Sequence, residues 1–351
     1  LRSRPASMYQ GLPPRVALTA SHYAYLKISE GCLKGCSFCI IPKIKGPLSS
    51  RPLEALVEEA RRLVEERGVK ELIVVGQDTS DYGVDLYRRT RTAELLRALG
   101  EVPGLRWIRL LYYHPRGMNQ ELIETIRDVP TVCKYLDMAI EHADDGVLAR
   151  MNRGITQERL RAIIADLRRQ IPAITLRTSV IVGFPGETED AFERLLDFIR
   201  AIRFERLGAF RYSQEEGTAS FRYPDPVPEA VRQTRYDRLM QVQQELAASL
   251  NQRWLGTTCE VLIDEADPSD PTVFLGRTSA DCPEVDGLVY VKSSRALSPG
   301  EFVNARVVDT YEYDLVATAV EPIGISDCGS RISDSADVPN PQSPIPNPKS
   351  S

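Results

Sequence analysis

From Tyr23 to about Pro224 the chain repeats one pattern six times: a short apolar, β-branched run, then a stretch with helical periodicity. The predicted strands are Tyr25–Ile28, Glu71–Val75, Trp107–Leu111, Tyr135–Ile140, Leu176–Val182 and Leu207–Phe210. The predicted helices are Leu53–Arg67, Thr92–Leu99, Gln120–Asp128, Gly146–Met151, Gln157–Arg169 and Glu189–Ile202. Strands separated by whole helices pair in parallel, with the helices outside the sheet. The pattern therefore predicts an α/β fold, an open (β/α)6 partial barrel of the TIM type. Such a barrel gathers the C-terminal ends of its strands, and the loops that follow them, on one face.

Beyond Pro224-Asp225-Pro226 the pattern changes. Val231, Leu239, Val242, Leu246 and Leu250 recur at helical spacing and predict one long bridging helix, Pro228–Leu255. After it come five short β-runs, Cys259–Ile263, Thr272–Arg277, Leu288–Val291, Phe302–Val308 and Leu315–Ala319, separated by turn signals such as Asp286-Gly287 and Pro299-Gly300. Five short strands in so little chain predict a small, closed, five-stranded antiparallel β-barrel of the oligonucleotide-binding (OB) type. The expected organisation is a linker remnant over 1–21, a core over 22–226, a bridging helix over 227–255, the barrel over 256–321 and a disordered tail over 322–351. The tail is rich in Ser, Pro and Asp and has almost nothing apolar to bury.

Between Glu30 and Cys39 the chain reads Glu-Gly-Cys-Leu-Lys-Gly-Cys-Ser-Phe-Cys, three cysteines at CxxxCxxC spacing directly after the first predicted strand. Three thiolates on one Gly-containing loop suit three corners of a cubane iron–sulfur cluster, [4Fe-4S], leaving one iron open to a substrate. Structural zinc asks for four ligands, usually as paired CxxC units, and three thiols cannot all pair as disulfides. An odd total of seven cysteines fits a reducing, cytoplasmic setting better than a secreted disulfide scaffold. No apolar stretch approaches a membrane span and no signal peptide precedes the first strand, so no membrane partner is expected.

The cysteine spacing, with Phe38 just before Cys39, resembles the radical S-adenosylmethionine (SAM) superfamily, in which the open iron binds the amino and carboxylate groups of SAM. Other strand ends then acquire meaning. Gly76-Gln77-Asp78 ends the second strand with a glycine and polar side chains that suit the SAM amino group. Glu141 ends the fourth strand as a candidate ribose acceptor, and His142 is read only as pocket lining. In Arg177–Thr188 the apolar strand runs into Gly183-Phe184-Pro185-Gly186, where backbone can approach an adenine. Arg177 is a candidate partner for the SAM carboxylate or for an acidic neighbour. Glu187 and Thr188 equally suit a helix cap. Positive charge on Lys43, Lys45 and Arg51 lies near the cysteine loop or belongs to an ordinary solvated loop.

The resemblance narrows further. Tyr25–Cys32 through Lys45-Gly46, Gly76-Gln77-Asp78, Arg177–Thr188, Arg206–Phe210, Tyr212–Thr218, Pro283–Gly287 and Tyr311–Val316 are similar to the RimO-type methylthiotransferases. The resemblance covers residues 20–321. It implies a transferase that adds a methylthio group to the β-carbon of an aspartate of a basic small-subunit ribosomal protein, S-twelve, through a 5′-deoxyadenosyl radical. It also implies an external electron donor, a TRAM domain in the C-terminal barrel that recognises the substrate, and a second [4Fe-4S] cluster. The implied metal ligands are Cys32, Cys36 and Cys39. The implied cofactor-binding residues are Phe38, Gly76, Gln77, Asp78, Glu141, Arg177 and Gly183, with no catalytic side chain assigned beyond the cluster.

Charge bears on the substrate. Trp254–Glu321 holds four basic residues (Arg277, Lys292, Arg295, Arg306) against thirteen acidic ones, and the whole chain is at −5. Such a barrel attracts a basic ribosomal protein and repels RNA, so direct RNA binding is not expected. Two departures from the family stand out. No cysteine precedes Cys32, and Cys133, Cys259, Cys282 and Cys328 are too scattered to form the second triad; Cys133 and Cys259 read as buried apolar residues. The Leu1 start is read as a truncated frame or fragment. Ala139-Ile140-Glu141-His142 stands where the family usually has Pro-Leu-Gln-His. Two alternatives remain: a MiaB-like tRNA adenosine methylthiotransferase, and an inactive remnant that only binds the ribosomal protein.

Overall fold

Strands that are apolar on both faces need cover on both, and in this chain each face receives a different cover. The computed structural model describes residues 20–320. The lead-in as far as residue 19 and the predicted tail, with Cys328, lie outside the described residues. Six strands form one parallel sheet in sequence order: β1 (Tyr23–Lys27), β2 (Glu71–Val75), β3 (Trp107–Tyr113), β4 (Val132–Met138), β5 (Thr175–Val182) and β6 (Arg206–Arg211). The order 1-2-3-4-5-6, with β1 and β6 left as edges, is the open (β/α)6 arrangement expected from the repeat.

One face carries α1 (Leu53–Arg67), α2 (Thr92–Gly100), α3 (Gln120–Asp128), α4 (Asp145–Arg150), α5 (Gln157–Gln170) and α6 (Glu189–Ile202). Leu26, Leu72, Val74, Ile108, Leu110, Leu136, Leu176 and Val180 point to this face and share one core with Leu56, Leu96, Ile123, Ile164 and Phe192 of the helices. Several helices start where a side chain satisfies a free backbone N–H: Asn119, Asp144, Thr156 and Thr188 each accept from the residue three positions on. The long helix α7 (Glu229–Asn251) adds Leu239, Val242 and Leu246 to the same core. It stops four residues short of the predicted end because Gln252–Trp254 tightens into a 3₁₀ turn.

The barrel comprises β7 (Thr258–Ala266), β8 (Val273–Arg277), β9 (Val289–Lys292), β10 (Phe302–Thr310) and β11 (Leu315–Ala319), closed in the order β8-β9-β11-β10-β7. It is mixed, not purely antiparallel: β9 and β11 run parallel, and the other pairs are antiparallel. The reason is arithmetic. Strand direction cannot alternate all the way round a closed ring with an odd number of members, so one neighbouring pair must agree.

The second face of the sheet lies against this barrel. Tyr23, Ile73, Trp107, Leu111, Cys133 and Tyr135 pack with Leu262, Cys282 and Phe302. Around them lies a network of buried charge. Glu71, the first residue of β2, accepts from Arg109 Nε at 2.9 Å and from Arg277 Nη1 at 2.6 Å. Arg277 also grips Asp264 with Nε and Nη2 at 2.7 and 2.9 Å, and Asp264 meets His22 Nε2 at 2.7 Å. The barrel segment from Arg277 to Asp286 reaches into the sheet: Asp281 pairs with Arg206, Asp286 accepts from Tyr135 Oη at 2.7 Å, and Glu284 accepts from Tyr23 Oη at 3.1 Å. Among the described residues no helix is long and apolar enough to cross a membrane.

Removing one partner from such a network strands the other charges without water. Arg277→Met is expected to lower stability by about 3 kcal/mol or more, read as a lower urea midpoint. An unchanged midpoint would show that the network contributes nothing.

Candidate active site

The three cysteines occupy the loop that leaves β1, at the C-terminal end of the sheet, and all three are partly accessible. A short two-stranded ribbon, Ser29–Glu30 against Ser49–Ser50, closes the base of the loop, and Gly31 takes φ 76° with its α-carbon against the Gly46 and Pro47 carbonyls, where no side chain fits. Burial pushes the Cys32 thiol up to about 11, against a hydrogen bond from the Lys34 backbone N–H, and also raises Cys39. These thiols therefore stay protonated near neutrality unless a metal or cation holds them as thiolates.

The other side of the loop is held by a turn that the sequence did not flag. Ser37 donates its N–H to the Met151 carbonyl at 3.0 Å and its hydroxyl to the Arg150 carbonyl at 2.8 Å. Asn152 Nδ2 reaches the Gly35 carbonyl at 2.7 Å, and Arg153 Nη1 reaches Cys36 Sγ at 3.2 Å. Among the described residues no three His, Cys, Asp or Glu side chains are drawn in tightly enough to hold a single metal ion. A four-iron cluster asks for something wider, one sulfur on each of three irons. Three half-buried thiols on one loop, beside a buried guanidinium, fit that donor set.

Phe38 projects from the cysteine loop into a cavity of about 390 Å³ on the barrel-facing side of the sheet. Glu141, Arg177, Ser179 and Ile181 line it from β5 and the end of β4, Tyr112 from β3, Phe210 from β6 and Val285 from the barrel. Tyr112 and Glu141 have left-handed backbone, φ 57° and 69°, at about 1–3 kcal/mol of strain each. At Tyr112 the register of β3 against β4 breaks, the N–H turns to Asp137 Oδ2 at 2.9 Å, and the ring faces the cavity. No propensity signals a tyrosine there. Glu141 bridges to β5 through Ser179 and Ile181, and burial raises its carboxyl pKa while the charge of Arg153 opposes the rise.

The remaining predicted residues divide. Arg177 is in the cavity wall, with Nη1 on Asp137 Oδ1 at 2.8 Å and Nε 3.4 Å from Asp286 Oδ1. Gly76, Gln77 and Asp78 lie past the end of β2 rather than on this cavity; Gln77 Oε1 and Asp78 Oδ2 are buried acceptors without a hydrogen-bond donor, and Lys34 Nζ is 3.5 Å from the latter. The orphaned Gln77 oxygen fits an ammonium group, whereas Asp78 already has the Lys34 ammonium beside it. At Gly183 the space of a β-carbon is taken by the Arg232 side chain.

His142 requires a correction. It is fully buried away from the cavity, with Nδ1 accepting from the Asp144 N–H at 2.9 Å and Nε2 3.3 Å from Glu187. Beyond the end of β4, the left-handed backbone at Glu141 separates the two side chains: Glu141 lines the cavity and His142 is buried against Glu187. Glu187 accepts from the Gly183 N–H and from Arg235, and Thr188 caps α6. Arg51 is buried against Glu59 and so belongs to the core, while Lys45 pairs with Glu30. Cys133 and Cys282 are buried, and Cys259 is partly accessible.

Comparison with known proteins adds the following. The chain matches the Radical SAM superfamily over residues 26–199 and the TRAM domain over residues 255–320. It is 47% identical over 303 residues to the ribosomal protein uS12 methylthiotransferase RimO of Caldanaerobacter subterraneus subsp. tengcongensis, covering 86% of this chain and 68% of that protein. The protein of the same description from Clostridioides difficile is 46% identical over 303 residues, with the same two coverages. That from Heliobacterium modesticaldum is 44% identical over 321 residues, 92% of this chain and 69% of that one. Among solved structures, the radical SAM enzyme coproporphyrinogen III oxidase (HemN) from Escherichia coli is similar at 17% identity and a TM-score of 0.47, over 65% of this chain and 54% of that one.

The raised pKa of Glu141 has a definite sign in stability. The native state holds its proton more tightly than the unfolded chain does. Stability is therefore lost as pH rises from the unfolded pKa through the native one, and stays lost above it. Glu141→Gln removes that loss, so its stability advantage over the parent is expected to grow as pH rises from the ordinary carboxylate range through the raised native pKa, followed by thermal unfolding. A difference independent of pH would contradict the assignment.

Proposed function

The chain belongs to the RimO family of radical SAM methylthiotransferases, and from that premise we propose that it acts on an aspartate of the small-subunit ribosomal protein S-twelve, placing a methylthio group on the β-carbon. The observation that carries the proposal is the shared cavity: Phe38 of the cysteine loop and Val285 of the barrel line the same space. A side chain presented by a protein held on the barrel thus arrives beside the cysteine loop.

A [4Fe-4S] cluster held by the cysteine loop would supply the redox chemistry, the electron for reductive cleavage of SAM. The chain's own residues hold and orient. Cys32, Cys36 and Cys39 are the cluster ligands. Gln77 offers its unpartnered oxygen to the SAM ammonium beside Asp78, whose carboxylate Lys34 already neutralises in part, Glu141 accepts from a ribose hydroxyl, and Phe38 and Ile181 form an apolar wall that excludes water. Arg177 is fixed between Asp137 and Asp286 in the cavity wall, where a carboxylate of SAM or of the substrate is a natural further partner. Gly183 leaves room for α7 to close behind the site. The second [4Fe-4S] cluster of the family has no ligand triad among this chain's cysteines.

The partner is a basic protein rather than RNA. The exposed acids Glu265, Asp270, Asp309 and Glu312 on the barrel support this reading. An external low-potential donor supplies electrons, and the reaction belongs in the cytoplasm, where such thiols stay reduced.

Isotope transfer tests the substrate. The reconstituted chain, given SAM, reductant and ribosomal protein S-twelve deuterated at aspartate β-carbons, is expected to yield deuterated 5′-deoxyadenosine, with tRNA having no effect. Unlabelled product whose formation is stimulated by tRNA would favour the tRNA-modifying alternative and overturn the proposal.

A further inference from the structure

Arg153 sits one turn beyond α4 and is 4% exposed. Its guanidinium makes two contacts, Nη1 to Cys36 Sγ at 3.2 Å and Nη2 to the Ala139 carbonyl at 2.5 Å, while Nε is buried without any partner. Among the described residues no carboxylate lies within ion-pairing distance of it. Glu141 feels its charge but does not pair with it. The contrast with the other buried arginines is plain: Arg51, Arg109, Arg206, Arg235 and Arg277 each meet a carboxylate.

A guanidinium cannot shed its proton, so this charge stays buried whatever surrounds it. A buried charge without a counter-ion is strongly penalised and persists only where something of opposite sign compensates it. What lies opposite is a set of cysteine sulfurs. As cluster ligands these are thiolates, and an electron added to the cluster increases the negative charge in front of Arg153.

We propose that Arg153 is the built-in counter-ion of the cluster site. By donating to the Cys36 sulfur and placing a fixed positive charge beside it, Arg153 favours the reduced cluster and raises its midpoint potential. Hydrogen bonds to ligand sulfurs and local charge are established levers on such potentials. Arg153 acts through Cys36 and is therefore a positioning and tuning residue, not a catalytic one. Its second contact, to Ala139, ties the cluster loop to the end of β4 that carries Glu141. The inference rests on the cluster assignment made above.

The test is a reductive titration of the reconstituted full chain with dithionite, monitored by electron paramagnetic resonance. One electron enters each cluster, and no bond to Arg153 forms or breaks. Arg153→Met, which removes charge and donor, is expected to bind the same iron as the parent. At a fixed potential its ratio of reduced to oxidised cluster should fall about tenfold or more, about 59 mV for one electron. Arg153→Lys, which keeps the charge, should recover most of that shift. A Met variant with full iron and the parent midpoint overturns the inference. Should that variant take up no iron, Arg153→Gln is read by the same criterion. Loss of iron in both Met and Gln variants, with thermal unfolding unchanged, also overturns it, since Arg153 would then serve assembly and not potential. A parent chain that binds no iron sinks the cluster assignment itself, a result distinct from all of these.

Discussion

Glu71 has no access to water, and two arginines converge on it, Arg109 from the sheet and Arg277 from the barrel. Much of the architecture follows from that contact. A parallel sheet with helices on one face still has a second face to cover. Here the cover is the small barrel, joined through charged groups that are satisfied only when both parts are present. The ionic contacts fix the segment from Arg277 to Asp286 inside the sheet, and that placement puts Val285 in the wall of the cavity next to Phe38. The barrel is thus part of the site.

The repeat of strand and helix was legible because each element obeys its own periodicity. Glu71–Val75, Leu53–Arg67, Gln120–Asp128, Glu189–Ile202 and Leu315–Ala319 lie where the pattern puts them. Strands β3 and β4 differ from their predicted ranges by two or three residues, because the register break at Tyr112 and the bridge at Glu141 depend on the neighbouring strand, not on the residues themselves. The cysteine loop was legible from spacing alone. The turn at Arg150–Arg153 that completes it was not, since a segment more than a hundred residues distant carries no local mark of that contact. Arg153 in particular looks like any arginine after a helix until its burial and lack of a carboxylate are seen.

Charge counting on the barrel shows a similar limit. Of its thirteen acidic residues, Asp264, Asp281 and Asp286 face arginines within the protein and contribute little to an outward field. Those that remain exposed, among them Glu265, Asp270, Asp309 and Glu312, still give the barrel surface an acidic character, so the proposal of a basic partner rests on fewer residues than the count alone suggests. The same structure explains why His142 drew attention wrongly. It follows Glu141 in sequence, but past the end of β4 the left-handed backbone at Glu141 carries the two side chains to different surroundings.

The proposed activity requires that the loop at Cys32, Cys36 and Cys39 hold an iron–sulfur cluster that cleaves SAM. Anaerobic reconstitution with iron and sulfide, followed by an iron count and an assay for 5′-deoxyadenosine with SAM and reductant, addresses this directly. The expected result is about four irons per chain, as one cubane cluster requires, and SAM cleavage, with both lost on Cys36→Ala. A chain that binds no iron, or whose iron and SAM cleavage persist in that variant, would contradict it.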